Sequence, residues 1–228
     1  MSRELADGVW TIPCRGVNAF LVEDEGDVVL VDAGTPWDGA TIREGVRDAG
    51  FELADVERVL VTHYDVDHVG ALAKLDDELD ATVYASGTDG RILTSERKPP
   101  LRGKKAILTR LVSIPLVERP DLEVRFVEDG DTVGSFEVFE TPGHTPGHLC
   151  FVSETLGVGL LGDLVRGKAD GTLGRVPWVV DGNRRRAGES IRDLAERAPS
   201  FEVACMGHGD PLASGGRDEL AALAAGLS

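Results

Sequence analysis

Three cysteines in 228 residues, at positions 14, 150 and 205, are too few and too far apart for a disulfide framework. None belongs to a CxxC pair, so a thiolate zinc knuckle is also excluded. Cys150 and Cys205 interrupt apolar runs, where a small buried hydrophobe is the ordinary reading. No stretch of about 18 apolar residues exists to span a bilayer. The opening MSRELADG lacks the basic and apolar regions of a signal peptide. The expectation is a cytoplasmic protein without a membrane partner. A GxSxG elbow is missing too, which removes support for a serine hydrolase.

Basic charge is scarce. Against 40 acidic residues stand 24 basic ones, and the net charge of -16 repels nucleic acid over long range, leaving room only for a local basic groove. Lysine occurs only at 74, 98, 104, 105 and 168, and Asp slightly outnumbers Glu, a balance that resembles salt-adapted cytoplasmic proteins. The acidity then reflects solvation and says little about the substrate.

What is present is a series of short apolar runs bounded by turns. VWTI, VNAFLV and DVVLVDAG read as an antiparallel meander, and Ile42, Val46 and Ala49 recur at helical spacing before Gly50. VERVLV and TVYA follow as strands, with a short helix expected from His68 between them. A second series, EVRFVED, SFEVFE, LCFVSE and VGLLGD, leads to a helix over about 183–198, the strand FEVACM and a last helix over about 216–227. Residues 86–120 are the least legible. Ala106, Ile107, Leu108, Leu111 and Val112 either give a covering helix or belong to a substrate lid. Strands and helices in two similar halves suggest two sheets packed face to face with helices outside, in one domain over 1–228.

All five histidines fall in three places: THYDVDH (62–68), TPGHTPGH (141–148) and MGHGDP (206–211). Each lies after a strand-like run or in a glycine-rich turn. Asp163 ends the apolar LLGD beside Gly162, where a carboxylate is poorly solvated unless it caps a turn or meets a cation. His148 follows His144 by four residues, but two glycines and two prolines rule out a regular helix there, so it reads as supporting structure. Tyr64, between histidine and aspartate, either packs on a strand or touches substrate.

Together these four segments resemble the metallo-β-lactamase fold superfamily of metallohydrolases, from about Val9 to Leu212. LVDAG (30–34) and the pair Ser190 and Ile191 also match. The resemblance implies an α/β (α+β) four-layer αββα sandwich with a dinuclear metal centre at one edge of the sheets. Carried over by position, one metal is held by His63, the residue at 65 and His144. The other is held by Asp67, His68 and His208, with Asp163 bridging and Asp32 supporting the loops.

Position 65 departs from the pattern. The usual residue is His; here it is Asp65. An aspartate there makes the two sites nearly alike in ligand type and tolerates iron or manganese better than an imidazole-rich zinc site does. The alternative is that Asp65 turns away and only the second metal binds.

The implied cofactor is two divalent metal ions, zinc in most such sites, with iron or manganese as options. The implied activity is hydrolysis of a small-molecule ester, thioester or lactone by hydroxide that the metals make available, with Asp67 as the catalytic residue that orients it and takes its proton. With 20 residues after His208, a glutathione-binding C-terminal region like that of glyoxalase II is not expected. Two other readings stay open. One is a ribonuclease or phosphodiesterase, resting on Arg184, Arg185 and Arg186 and the basic residues of 97–110. The other is a non-catalytic, metal-stabilised binding protein.

Overall fold

The computed structural model describes residues 1–97 and 119–227. Four short strands open the chain as a meander: β1 Arg3–Ala6, β2 Val9–Pro13, β3 Asn18–Asp24 and β4 Asp27–Val31. Three parallel strands extend the same sheet, β5 Val56–Leu60, β6 Thr82–Ser86 and β7 Val124–Val127, giving the order β1-β2-β3-β4-β5-β6-β7. A second sheet is built from β8 Thr132–Val133, β9 Phe136–Glu140, β10 Leu149–Ser153, β11 Val158–Gly162 and β14 Val203–Met206. Its order is β14-β11-β10-β9-β8. A two-stranded ribbon, β12 Arg166–Gly167 with β13 Leu173–Gly174, stands beside it.

Alternation along the strands sorts the core into three layers. Phe20, Val22, Val29, Val31 and Leu60 from the first sheet meet Phe136, Val138, Leu149, Phe151 and Leu160 from the second, all buried in one cluster. The opposite face of the first sheet, through Leu21, Leu30, Val59 and Val83, packs on Ile42 and Val46 of α1 (Gly39–Asp48). The opposite face of the second, through Phe139, Cys150, Val152 and Leu161, packs on Ile191 and Leu194 of α4 (Arg184–Arg197) and Leu220 of α5 (Gly216–Ala225). Helix, sheet, sheet, helix is therefore the layer order. Cys205 lies in the intersheet core and Cys150 under the helices, both buried as free thiols.

Two short helices complete the described chain, α2 Val66–Val69 and α3 Gly87–Leu93. The helix expected to begin at His68 begins at Val66 instead, directly after Asp65, and the chain beyond it turns through two single 3-10 turns, Leu72–Lys74 and Asp76–Glu78. Gly70 rests against Pro36 and the Val66 carbonyl so closely that a Cβ would collide with both. The last helix ends at Ala225 rather than Leu227. Strand β1 went unread because RELA is an exposed or half-buried edge with no apolar alternation. The helix or lid proposed around 106–112 lies outside the described residues. Among them, no helix is long and apolar enough to cross a membrane.

Candidate metal centre

Loops leaving the C-terminal ends of β4, β5, β11 and β14, together with the turn between β9 and β10, meet at one edge of the sandwich. They bring Asp32, His63, Asp65, Asp67, His68, His144, Asp163 and His208 together. Asp163 is central: Oδ2 lies 3.3 Å from His144 Nε2 and 3.3 Å from His208 Nε2, and Oδ1 lies 3.5 Å from His68 Nε2. Asp65 points inward, with Oδ2 3.1 Å from His144 Nε2 and 3.6 Å from His63 Nε2. An aspartate at a helix start usually accepts a backbone N–H of the first turn. Asp65 makes no such cap bond, and its carboxylate faces the histidines instead. At the outer rim Asp67 Oδ2 lies 3.4 Å from His208 Nε2.

Donor and acceptor chemistry fixes which nitrogen of each ring faces the cluster. Asp32 accepts from the Thr62 N–H at 2.9 Å, the Thr62 hydroxyl at 2.7 Å and His68 Nδ1 at 2.7 Å. Because the Thr62 hydroxyl spends its proton on Asp32, it can only accept from His63 Nδ1, 3.0 Å away. His208 Nδ1 donates to the Gly16 carbonyl at 2.7 Å. In all three rings Nδ1 keeps its hydrogen and Nε2 is the nitrogen turned to the cluster, the arrangement in which outer partners orient metal-binding histidines. Gly207 makes this close assembly possible, since a Cβ there would sit 2.4 Å from His68 Cε1 and 2.5 Å from Asp163 Oδ1.

His148 is built differently. Its Nε2 accepts the Asp163 N–H at 3.0 Å, and its Nδ1 therefore donates to Thr141 Oγ1 at 2.8 Å. Both nitrogens are used, so it supports the Asp163 backbone and offers no ligand atom.

Burial and the neighbouring charges shift the groups of the cluster in opposite directions. Burial, helped by the neighbouring His68, pushes His63 down to about 4, so it is neutral. Burial would lower His68 as well, but the Asp163 and Asp32 carboxylates hold it well above its usual range. His208 is raised to about 10 against its own burial by hydrogen bonds to Asp163 and Asp67. Asp163, which burial alone would raise, is held well below the usual carboxylate range by His68 and His144. Positive charge at the centre is what these carboxylates stabilise.

Three buried atoms in the cluster, His63 Nε2, His68 Nε2 and Asp163 Oδ1, make no hydrogen bond. Leaving such atoms unsatisfied costs roughly 1–3 kcal/mol each. A cation between them removes that cost. Three ligand groups fit one: His63, Asp65 and His144; His63, His68 and Asp163; and Asp67, His68 and His208, with the ligand atoms of each within 4.8 Å of one another. Mixed imidazole and carboxylate donors suit zinc, iron(II) or manganese(II).

Several contributors carried no readable signal in the sequence. Asp181, with its side chain buried, places Oδ1 3.9 Å from His144 Nδ1. Asp89 lies behind the cluster. Beside His208 opens a cavity of about 260 Å³, lined mainly by Val176, Pro177 and Val180 with Gly16, Gly209 and Arg166. The arginine triplet is a set of surface ion pairs: Arg184 lies 3.4 Å from Asp181, Arg185 3.8 Å and Arg186 3.3 Å from Glu189.

Comparison with known proteins follows the same line. A family model described as the metallo-beta-lactamase superfamily matches residues 12–208. The Bacillus subtilis (strain 168) protein named probable metallo-hydrolase YflN is 27% identical, with 99% of this chain and 93% of the relative covered. A hydroxyacylglutathione hydrolase of Cereibacter sphaeroides is 28% identical over 87% of this chain, which spans only 65% of that protein's length. The crystal structure of TTHA1623 in a di-iron-bound form superposes with a TM-score of 0.65 at 27% identity, covering 93% of each chain.

Proposed function

The chain belongs to the metallo-β-lactamase superfamily and is a hydrolase, and from that premise we propose that it cleaves a small ester, thioester or lactone with two divalent metal ions. The observation that carries this reading is that His63 Nε2, His68 Nε2 and Asp163 Oδ1 are buried together without hydrogen-bond partners. His63, Asp65 and His144 would hold one ion, Asp67, His68 and His208 the other, with Asp163 between them. When bound, such ions supply Lewis acidity, lowering the pKa of water from 15.7 to about 7 and polarising a carbonyl oxygen.

The remaining work falls to this chain's own groups. Asp32 and Gly16 hold His68 and His208 with Nε2 inward, so neither ring reorients to bind. Asp67 is ionised: although burial opposes it, the His208 hydrogen bond and the nearby His68 lower its pKa. Its half-exposed carboxylate stands on the rim, and Oδ2 is the atom placed to take a proton from an attacking water. The buried inner wall of His63, His68 and Asp163 excludes bulk water and so strengthens every charge interaction there. The mainly apolar cavity beside His208 suits the acyl part of a small substrate.

A panel of thioesters, lactones and aryl esters, with bis-p-nitrophenyl phosphate alongside, tests this reading. Turnover of the carboxylic substrates, lost with a chelator and regained with metal, is the expected result. Turnover of the phosphodiester alone would replace it with phosphodiesterase activity. The pairing of Arg184, Arg185 and Arg186 with Asp181 and Glu189 partly neutralises the triplet and so works against that alternative, whose other basic residues over 98–110 lie outside the described residues.

A further inference from the structure

We propose that Asp89 is a positioning residue that sets the geometry of the first metal site, an inference that rests on the metal reading above. Asp89 lies on α3. It is almost fully buried. Its carboxylate accepts three bonds: from the Thr145 hydroxyl at 2.6 Å, the Gly147 N–H at 2.9 Å and the Tyr64 N–H at 3.4 Å.

The sequence neighbours of those three donors make the case. Tyr64 stands between His63 and Asp65, and Thr145 follows His144. Every member of the first ligand group is thus one residue from a backbone or side chain that Asp89 holds. The two loops come from different sheets, His63 and Asp65 following β5 in the first and His144 preceding β10 in the second. A single carboxylate ties them across the sandwich. None of these three bonds reaches the segment holding Asp67 and His68 or the loop of His208.

Two features separate this role from ordinary helix structure. The start of α3 is already capped by Ser86, whose hydroxyl accepts the Asp89 N–H at 3.1 Å, so the carboxylate is not needed for the cap. And the turn is shaped to receive it: a Cβ on Gly147 would sit 2.5 Å from Asp89 Oδ1 and 2.3 Å from Ser86 Oγ, so only glycine lets the Gly147 N–H come this close. Burying a carboxylate is costly unless donors meet it, and all its donors come from the two ligand loops.

The test counts metal. Wild-type protein, Asp89→Ala, Asp89→Asn and Thr145→Val are each dialysed against graded free Zn(II), and bound zinc per chain is measured with the thermal midpoint of the metal-free form. Losing a partner that orients ligands costs about 10- to 100-fold in metal affinity. Asp89→Ala is expected to weaken one of the two zinc ions by that factor and leave the other unchanged. Asp89→Asn is expected to weaken that ion less than Asp89→Ala does, because its amide oxygen still accepts from Gly147 and its NH2 can donate to the Thr145 hydroxyl, while the Tyr64 N–H, which then faces an NH2, loses its bond. Thr145→Val, which removes one bond, is likewise expected to weaken it less than Asp89→Ala. In the metal-free proteins, amide hydrogen exchange at Gly147 should quicken in Asp89→Ala and not in Asp89→Asn.

Asp89→Ala binding both ions at wild-type affinity, or losing both equally, overturns the inference. Should Asp89→Ala fail to fold, unchanged zinc affinity in Thr145→Val overturns it. Wild-type protein that takes up no zinc at all would overturn the metal reading itself.

Discussion

Replacing Asp32 by Asn is the most searching perturbation of the cluster, because it alters one atom's chemistry at the hub of the network. The backbone tolerates it: Asp32 sits at φ 55°, a left-handed conformation in which Asn is also at home. The volume is unchanged. The carboxylate now accepts three bonds, from the Thr62 N–H, the Thr62 hydroxyl and His68 Nδ1. An Asn keeps one accepting oxygen, which the Thr62 N–H takes, and turns an NH2 toward the other two. Thr62 can rotate its hydroxyl and accept. His68 cannot keep a hydrogen on Nδ1 against a donor, so its neutral form moves the hydrogen to Nε2, the atom that must bind metal. The expected cost is about 10- to 100-fold in affinity at the site of Asp67, His68 and His208. That equals roughly 1.4 to 2.7 kcal/mol. Competition with a zinc chelator, read as two separate dissociation constants, measures it, and circular dichroism checks that the fold survives. Wild-type affinity at both sites in a folded Asp32→Asn protein would refute the tautomer argument.

Asp67→Asn should lower kcat by much more than it lowers metal content, since it keeps an oxygen at the rim but loses the proton acceptor; equal losses in the two would deny Asp67 that role. Asp65→His restores an imidazole and should shift preference toward zinc over manganese, measured by competitive loading, whereas an unchanged preference would mean that Asp65 does not bind metal. The His208 pKa, raised from 6.5 to about 10 by Asp163 and Asp67, gives the metal-free fold a contribution that is complete below about 6.5 and lost as pH rises through about 10. Metal must displace that proton, so affinity should rise with pH over this range, and calorimetry in buffers of different ionisation enthalpy should detect proton release at pH 7. Binding without proton release would contradict it.

How much of this was legible in the sequence depends on whether a residue's role is local. THYDVDH is readable because polar residues crowded at the end of an apolar strand have little reason to be there unless something binds them, and the same holds for Asp163 after LLG. The seven proposed ligands could therefore be named through the resemblance that these segments carry to the metallo-β-lactamase superfamily. Asp89 could not. In SGTDG it is an ordinary third residue of a capped helix, and its role exists only because α3 packs behind two loops that are 81 residues apart in the chain, as Tyr64 and Thr145 show. The two-residue strands β8, β12 and β13 were unreadable because two residues carry no period.

The most direct test is metal analysis of freshly purified protein coupled to hydrolysis of the thioester, lactone and ester panel, before and after chelation. The account predicts two divalent metal ions per chain, with turnover lost on their removal and restored by zinc, iron or manganese. Protein that holds at most one ion after loading with excess metal, or hydrolysis that continues undiminished once the metal is gone, would contradict it.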